Sequence, residues 1–182
     1  MNKNVEKFLI DEKAFAENLP LHSSVWIYGA NRFFTQEESN RITELAKVFA
    51  SQWTSHRVQM YADGALLHNC FLVLAADEKM VATGGCTIDS STNWIKKLGK
   101  EFDADFMNRQ LLYLLQDGEV RILTLSEAAD AYADGNINDS SLVFNNLIKT
   151  KEDLVKKWLI PLSESPLYKL VNSPIQEFQF KL

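Results

Sequence analysis

The chain has 182 residues, 46% of them hydrophobic and 24% charged, which is typical of a folded globular protein and excludes a disordered one. Its formal net charge of −5 argues against nucleic acid as a partner. Only two cysteines, and an N-terminus without the apolar core of a signal peptide, indicate the cytoplasm. No apolar run approaches the roughly 18 residues that span a bilayer, so no membrane association is expected.

The first part of the chain predicts helices on either side of a strand. Apolar residues at helical spacing predict a short amphipathic helix over residues 4–19, which Pro20 ends. A strand is predicted over residues 24–28, and Thr35 followed by Glu38 matches the capping box that begins a helix. That helix has one apolar face, formed by Ile42, Leu45, Ala46, Phe49 and Trp53.

The middle of the chain is rich in strand-forming residues. Extended segments are predicted at residues 58–66, 70–76 and 80–83. Asp63-Gly64 and His68-Asn69 are equally suitable turns, so the register of these strands stays open. A second main helix is predicted from about Ser91 to Phe102.

The last part of the chain contains a strong hairpin signal. Asp117-Gly118 separates two apolar runs, and both residues tolerate the positive φ that a tight hairpin turn requires. A short helix at 126–132 follows, with Gly135 placed to end it. The remaining predicted elements are an extended segment at 142–144, a helix at 151–158 and an edge strand around Phe178-Gln179-Phe180.

This order of elements predicts an α+β fold. We expect an antiparallel sheet with helices packed on one face, for which the ferredoxin-like layout is the commonest realisation, and a C-terminal hairpin–helix–strand unit. The expected organisation is an N-terminal helical extension at 1–20, an α+β core at 21–125, a helix–strand–helix unit packed on the core at 126–162 and a tail at 163–182.

Three phrases of the sequence carry a family resemblance. They are Gln52-Trp53-Thr54-Ser55-His56, Gly85-Cys86-Thr87-Ile88-Asp89 and Val143-Phe144-Asn145-Asn146. Over residues 24–163 the chain resembles a family of small uncharacterised bacterial proteins whose members often carry the label "ABC transporter ATPase". The residues do not support nucleotide hydrolysis, because the only Gly-Lys pair, Gly99-Lys100, lies within a predicted helix and lacks the rest of a phosphate-binding loop.

A second resemblance covers residues 113–146. The succession of Tyr113, Asp117-Gly118, Gly135 and Leu142-Val143-Phe144 is similar to small GYF-type adaptor modules, which bind peptides through exposed aromatic residues. This chain has Leu123-Thr124 where those modules carry a Gly-Pro pair. The resemblance implies a local hairpin–helix–strand shape and, more weakly, peptide binding.

The segment around Cys86 is the candidate for chemistry. Gly84 and Gly85 permit a sharp turn, and Asp89, Ser90 and Ser91 are residue types that begin helices. A thiol at a helix N-terminus lies at the positive end of the helix dipole, so Cys86 is a candidate nucleophile or redox sensor.

Two other interpretations of this segment stay open. Cys86 can pack as a small apolar residue, as Cys70 is expected to do within its predicted buried strand. Alternatively, the same glycine turn and helix start can hold an anion or a nucleotide phosphate, with hydroxyls of Thr87, Ser90 and Ser91 assisting.

Further candidate binding residues lie near two predicted element ends. Trp53, His56 and Arg57 follow the capped helix, and Arg32 follows the first strand. Each also has a structural interpretation, which is core packing for the tryptophan and solvated turns for the others. The three histidines are scattered and no Cys-x-x-Cys is present, so no metal site and no cofactor is predicted.

These observations favour a non-catalytic module that binds a protein or a small ligand. The alternatives are a small enzyme or redox-responsive protein that uses Cys86, and an anion-binding or nucleotide-binding protein that uses the Gly84-Gly85 turn. The sequence does not indicate the oligomeric state.

Overall fold

The computed structural model describes Phe8 and residues 14–173, which form helices and antiparallel strands. The strands are β1 Ser24–Gly29, β2 Thr54–Ser55, β3 Val58–Gln59, β4 Ala62–Leu67, β5 Phe71–Ala76, β6 Leu111–Gln116, β7 Glu119–Thr124, β8 Leu142–Phe144 and β9 Leu159–Pro161. The helices are α1 Gln36–Gln52, α2 Gly85–Glu101, α3 Leu125–Ala133, α4 Lys151–Lys157 and α5 Tyr168–Val171. The predicted α+β class is therefore confirmed.

The chain divides into two units, each with its own sheet. The first unit comprises Met1–Arg109 and Asn146–Trp158, and the second comprises Gln110–Asn145 and Leu159–Leu182. The expected boundary at 125/126 lies inside the second unit, within the first turn of α3. The reason is that the β6–β7 hairpin pairs with β8.

The first unit has a three-stranded antiparallel sheet in the order β1-β5-β4. One face of β5, carrying Leu72 and Leu74, packs on Ile42 of α1 and Ile95 of α2. Phe71 faces the other way, and its ring meets Trp158, directly after α4, at 5.0 Å. No later strand of the described chain returns to this sheet, so the ferredoxin-like arrangement is not found.

Local signals fix two features of this unit. The capping box at the start of α1 is formed as predicted, since Thr35 Oγ1 accepts from Glu38 N at 3.2 Å and Glu38 Oε2 accepts from Thr35 N at 2.8 Å. The β4–β5 turn lies at His68-Asn69, where both residues have positive φ of 49° and 57°. Asp63-Gly64 is part of β4 instead.

Two predicted elements of this unit differ from the structure. Residues 14–19 form turns, and the rest of the predicted 4–19 helix, apart from Phe8, lies outside the described residues. Residues 80–83 are not a strand, because the preceding carboxylates hold the chain in a loop: Asp77 Oδ1 accepts from Lys79 N at 3.0 Å, and Glu78 Oε1 accepts from Thr83 N at 3.3 Å.

The second unit has a four-stranded antiparallel sheet in the order β7-β6-β8-β9. Its hairpin turn is the predicted Asp117-Gly118, with φ of 53° and 76°. α3 ends before Gly135, whose φ is +75° as expected. The predicted hairpin–helix–strand shape is thus present, whereas β9 and α5 were not predicted. The predicted strand around Phe178 lies outside the described residues.

Candidate functional site

The predicted glycine turn forms the N-terminus of α2, but the helix begins six residues earlier than the predicted Ser91. Gly84 is the N-cap, with φ −111°, and Gly85 is the first helical residue. Thr87 N donates to Gly84 O at 3.0 Å, and its hydroxyl accepts from Gly84 N at 3.4 Å. Neither glycine adopts a positive φ, so the turn does not need glycine for its backbone conformation.

Three side chains in and beside the β2–β3 hairpin lie against this helix start. Two of them, Trp53 and His56, are candidate binding residues from the sequence, and the third is Ser55. Trp53 Nε1 donates to Thr87 O at 3.1 Å, and Ser55 Oγ donates to Ala82 O at 2.7 Å. His56 Nε2 would lie 3.3 Å from a Cβ built on Gly84. The structure therefore brings Trp53 and His56, two of the candidate binding residues, to the Gly84 turn.

Trp53 also belongs to the core, since it is 2% exposed and its ring meets Trp26 at 5.4 Å. Trp53 thus packs in the core and also holds the helix start through its hydrogen bond to Thr87 O. His56 and Arg57 form the hairpin turn and are exposed, with φ of 51° and 68°. Non-glycine residues rarely adopt this conformation, which costs on the order of 1 kcal/mol each.

Cys86 is exposed on the first turn of α2. No described side chain forms a hydrogen bond with its thiol, and no acid or base is paired with it. Cys70 is fully buried as predicted, and burial raises the pKa of its thiol. Cys86 is thus accessible to solvent.

Asp89, Ser90 and Ser91 do not cap α2, because they lie within it. Ser90 Oγ donates to Thr87 O at 2.7 Å, and Ser91 Oγ donates to Ile88 O at 2.8 Å. Ser91 is buried and also hydrogen-bonds the phenol of Tyr28, whose pKa is raised mainly by burial. The two hydroxyls are therefore engaged within the fold, and Asp89 is exposed on the helix surface.

Arg32 is held at the opposite end of α2. Its guanidinium donates to Glu38 Oε1 at 2.7 Å and to the carbonyl oxygen of Phe102, which caps the helix C-terminus. The ion pair lowers the pKa of Glu38 to about 2. Because α2 has 17 residues, at roughly 1.5 Å per residue Arg32 is on the order of 24 Å from Cys86. Arg32 does not join the candidate site.

The second unit presents a different candidate, which the sequence hypotheses did not include: the outer strand β7. Leu125 N donates to Gln110 O at 3.1 Å, one rung beyond the Leu111–Thr124 pair. Hydrogen-bonded rungs recur every second residue in an antiparallel ladder. Alternate residues of β7, from Leu123 back to Glu119, therefore direct their backbone groups toward β6.

Val120 and Ile122 consequently direct their N–H and C=O groups away from the sheet. Thr124 N has the same outward direction, and it donates to Glu127 Oε2 at 2.7 Å. No hydrogen bond is formed at the outward groups of Val120 and Ile122 within residues 14–173. We call this pair of residues the β7 edge.

Of the other outer strands, β1 is paired on its outer side at its first two residues, β4 is covered by side chains and β9 is short. Val25 N of β1 donates to Lys149 O at 2.9 Å, and Ser24 forms a bridge with Thr150. On β4, Gly64 N donates to Asp63 Oδ1 at 2.8 Å and Leu66 N donates to Thr43 Oγ1 at 3.1 Å. β9 has three residues and ends in Pro161, which has no N–H.

The sequence predicted the β6–β7 hairpin but not the edge, since an outer position depends on which strand pairs with the far side of β6. The one sequence signal for an outer strand is the pair of charged residues Glu119 and Arg121 on either side of Val120, because charged side chains are common on edge strands.

Similarity to known proteins does not indicate a function for this chain. No protein-family model, curated protein or solved structure matches this chain. The described helices include none with the length and apolar character needed to cross a bilayer. Among the same residues, no three His, Cys, Asp or Glu side chains are grouped so that they could hold a metal ion.

Proposed function

We propose that this chain is a non-catalytic module that binds another protein by adding an extended strand to the β7 edge. The observation that carries this proposal is the contrast among the outer strands. On β4 the outward N–H groups of Gly64 and Leu66 are bound by side chains, and β9 is short. β1 is paired on its outer side at Ser24 and Val25. The six-residue β7, by contrast, has outward groups at both Val120 and Ile122 that form no hydrogen bond within residues 14–173.

An unpaired edge is a hazard for a folded protein, because it can pair with any extended chain. The same backbone groups supply affinity when a specific extended segment binds. The resemblance of residues 113–146 to GYF-type modules supports peptide binding in general, since those modules bind peptides, but they do so through aromatic residues and not through a strand edge. The assignment to the family of small bacterial proteins remains our proposal as well.

Proline at position 120 tests the proposal directly. Because Val120 N points outward, Val120→Pro removes an edge donor and leaves the hydrogen bonds to β6 in place. Val120→Thr keeps the N–H and serves as the matched control. The measurement is affinity capture from a native lysate, with circular dichroism to show that both variants fold.

We expect a stoichiometric protein partner that wild type and Val120→Thr retain and Val120→Pro loses. Equal capture by the proline variant, or no stoichiometric partner with any form, would overturn the proposal. If Val120→Pro fails to fold, Ile122→Pro removes the neighbouring outward donor and replaces it in the comparison.

The two alternative functions depend on the start of α2. The thiol hypothesis has the exposed position of Cys86 and the nearby ring of His56 in its favour. An alkylation rate no faster for folded than for unfolded Cys86, or unchanged by His56→Ala, removes it. The anion hypothesis predicts that phosphate compounds raise the melting temperature, and no shift across such a panel removes it.

A further inference from the structure

We infer that the β7 edge selects extended segments by charge, taking an antiparallel strand with an acidic residue opposite Arg121 and a basic residue opposite Glu119. This inference rests on the proposed strand addition and specifies its partner. The two charged side chains are exposed and flank Val120 on the strand.

The charge selection follows from the direction of the backbone groups, which point alternately toward β6 and outward along β7. An added strand would form its hydrogen-bonded rungs at Val120 and Ile122. Glu119 and Arg121 would then stand in the non-hydrogen-bonded pairs, where opposite side chains are closest, with Cα atoms about 4.5 Å apart. Opposite charges stabilise such pairs and like charges destabilise them. In an antiparallel partner the required order is acidic, apolar, basic.

The same rule disfavours a second copy of this chain. The two-fold antiparallel register that uses the outward groups of both residues pairs Val120 with Ile122 of the second copy. Arg121 then faces Arg121 of the second copy, and these like charges repel. Self-pairing in this register is therefore disfavoured, whereas a strand with complementary charges is favoured.

Two synthetic peptides test this inference on the full chain. The mixed peptide is acetyl-Thr-Val-Glu-Val-Lys-Val-Thr-amide, and the dilysine peptide replaces its Glu with Lys. Each is titrated at up to millimolar concentration into 15N-labelled wild type, Arg121→Glu and Val120→Pro, and dissociation constants are taken from the amide shifts of residues 119–124.

Wild type should bind the mixed peptide about fivefold more tightly than the dilysine peptide, because one attractive pair becomes repulsive. Arg121→Glu makes both charged positions acidic, so its preference should reverse whichever way the peptide runs. Val120→Pro should bind neither peptide.

Three outcomes overturn the inference: no binding of either peptide to wild type, no reversal in Arg121→Glu, or shifts that do not centre on Val120 and Ile122. The experiments distinguish a failure of the charge selection from a failure of the proposed strand addition. If Val120→Pro abolishes protein capture while peptide preference does not reverse, strand addition stands and charge selection fails. If Val120→Pro captures its partner normally, strand addition itself fails.

Discussion

The ring of His56 lies beside Gly84, so that a Cβ built on this glycine would be 3.3 Å from His56 Nε2. A side chain at position 84 would crowd the His56 ring, so glycine fits here because it has no Cβ, and its φ of −111° is one that any residue can adopt. The hairpin turn and the start of α2 thus fit together through a glycine. Glycine is also well tolerated at an N-cap, the position that Gly84 occupies.

Gly84→Ala should lower the free energy of unfolding by about 0.5–1 kcal/mol, since alanine is a poor N-cap and displaces the His56 ring. Gly85→Ala is the matched control, because nothing lies within 4 Å of its Cβ position. That change should stabilise by about 0.5 kcal/mol. Urea unfolding measures both. A Gly84→Ala variant as stable as Gly85→Ala would contradict the contact.

The two cysteines should differ sharply in reactivity. Cys86 is exposed, whereas Cys70 is fully buried and burial raises the pKa of its thiol. The folded protein should therefore consume one equivalent of a thiol reagent quickly and the second only on unfolding. Cys86→Ser should remove the fast phase, and Cys70→Ser should leave it. Two thiols reacting at one rate would count against the structure.

Stability should fall in mildly acidic solution because of His68. Burial among Phe8, Phe71 and Trp158 lowers the pKa of this imidazole from 6.5 to about 4, although a hydrogen bond that the ring donates to the backbone of Phe8 opposes the shift. The unfolded chain binds the proton first, so the stability present above pH 6.5 is lost as the pH falls toward 4. The full loss is on the order of 3 kcal/mol.

The control for this pH dependence is His68→Asn, since asparagine tolerates the positive φ of the turn. Its unfolding free energy should change less between pH 7 and 4 than that of wild type. An NMR titration of the imidazole checks the cause. A His68 ring that titrates near 6.5 in the folded protein would rule the explanation out.

What the sequence predicted well was encoded locally. The Thr35–Glu38 capping box and the Asp117-Gly118 turn each lie within four residues, and both form as expected. The start of α2 was misplaced because bonds from Trp53 and Ser55, about 30 residues away in sequence, hold residues 82–87. Local propensity carries no information about such bonds.

The division into two sheets could not be predicted for the same reason. β6 pairs with β8 instead of joining β1, β5 and β4, and that choice is made by packing between distant segments. The outward position of Val120 and Ile122 depends on this choice. At the other candidate site, the sequence named Trp53, His56 and Arg32 as candidate binding residues without placing them together. The structure brings Trp53 and His56 to the start of α2, whereas the Glu38 carboxylate holds Arg32 at the far end of that helix.

The buried side chain of Lys151 should contribute strongly to the stability of the first unit. Lys151 is 3% exposed, and its Nζ donates to Ala16 O at 2.8 Å and Leu19 O at 2.9 Å. Lys151→Met would leave these buried carbonyl oxygens without that donor, so the unfolding free energy should fall by about 2 kcal/mol. Lys156→Met, on the exposed side of the same helix, removes only a surface pair with Glu152 and should cost no more than about 0.5 kcal/mol. Equal effects in urea unfolding would show that the buried hydrogen bonds do not hold residues 16–19 against α4.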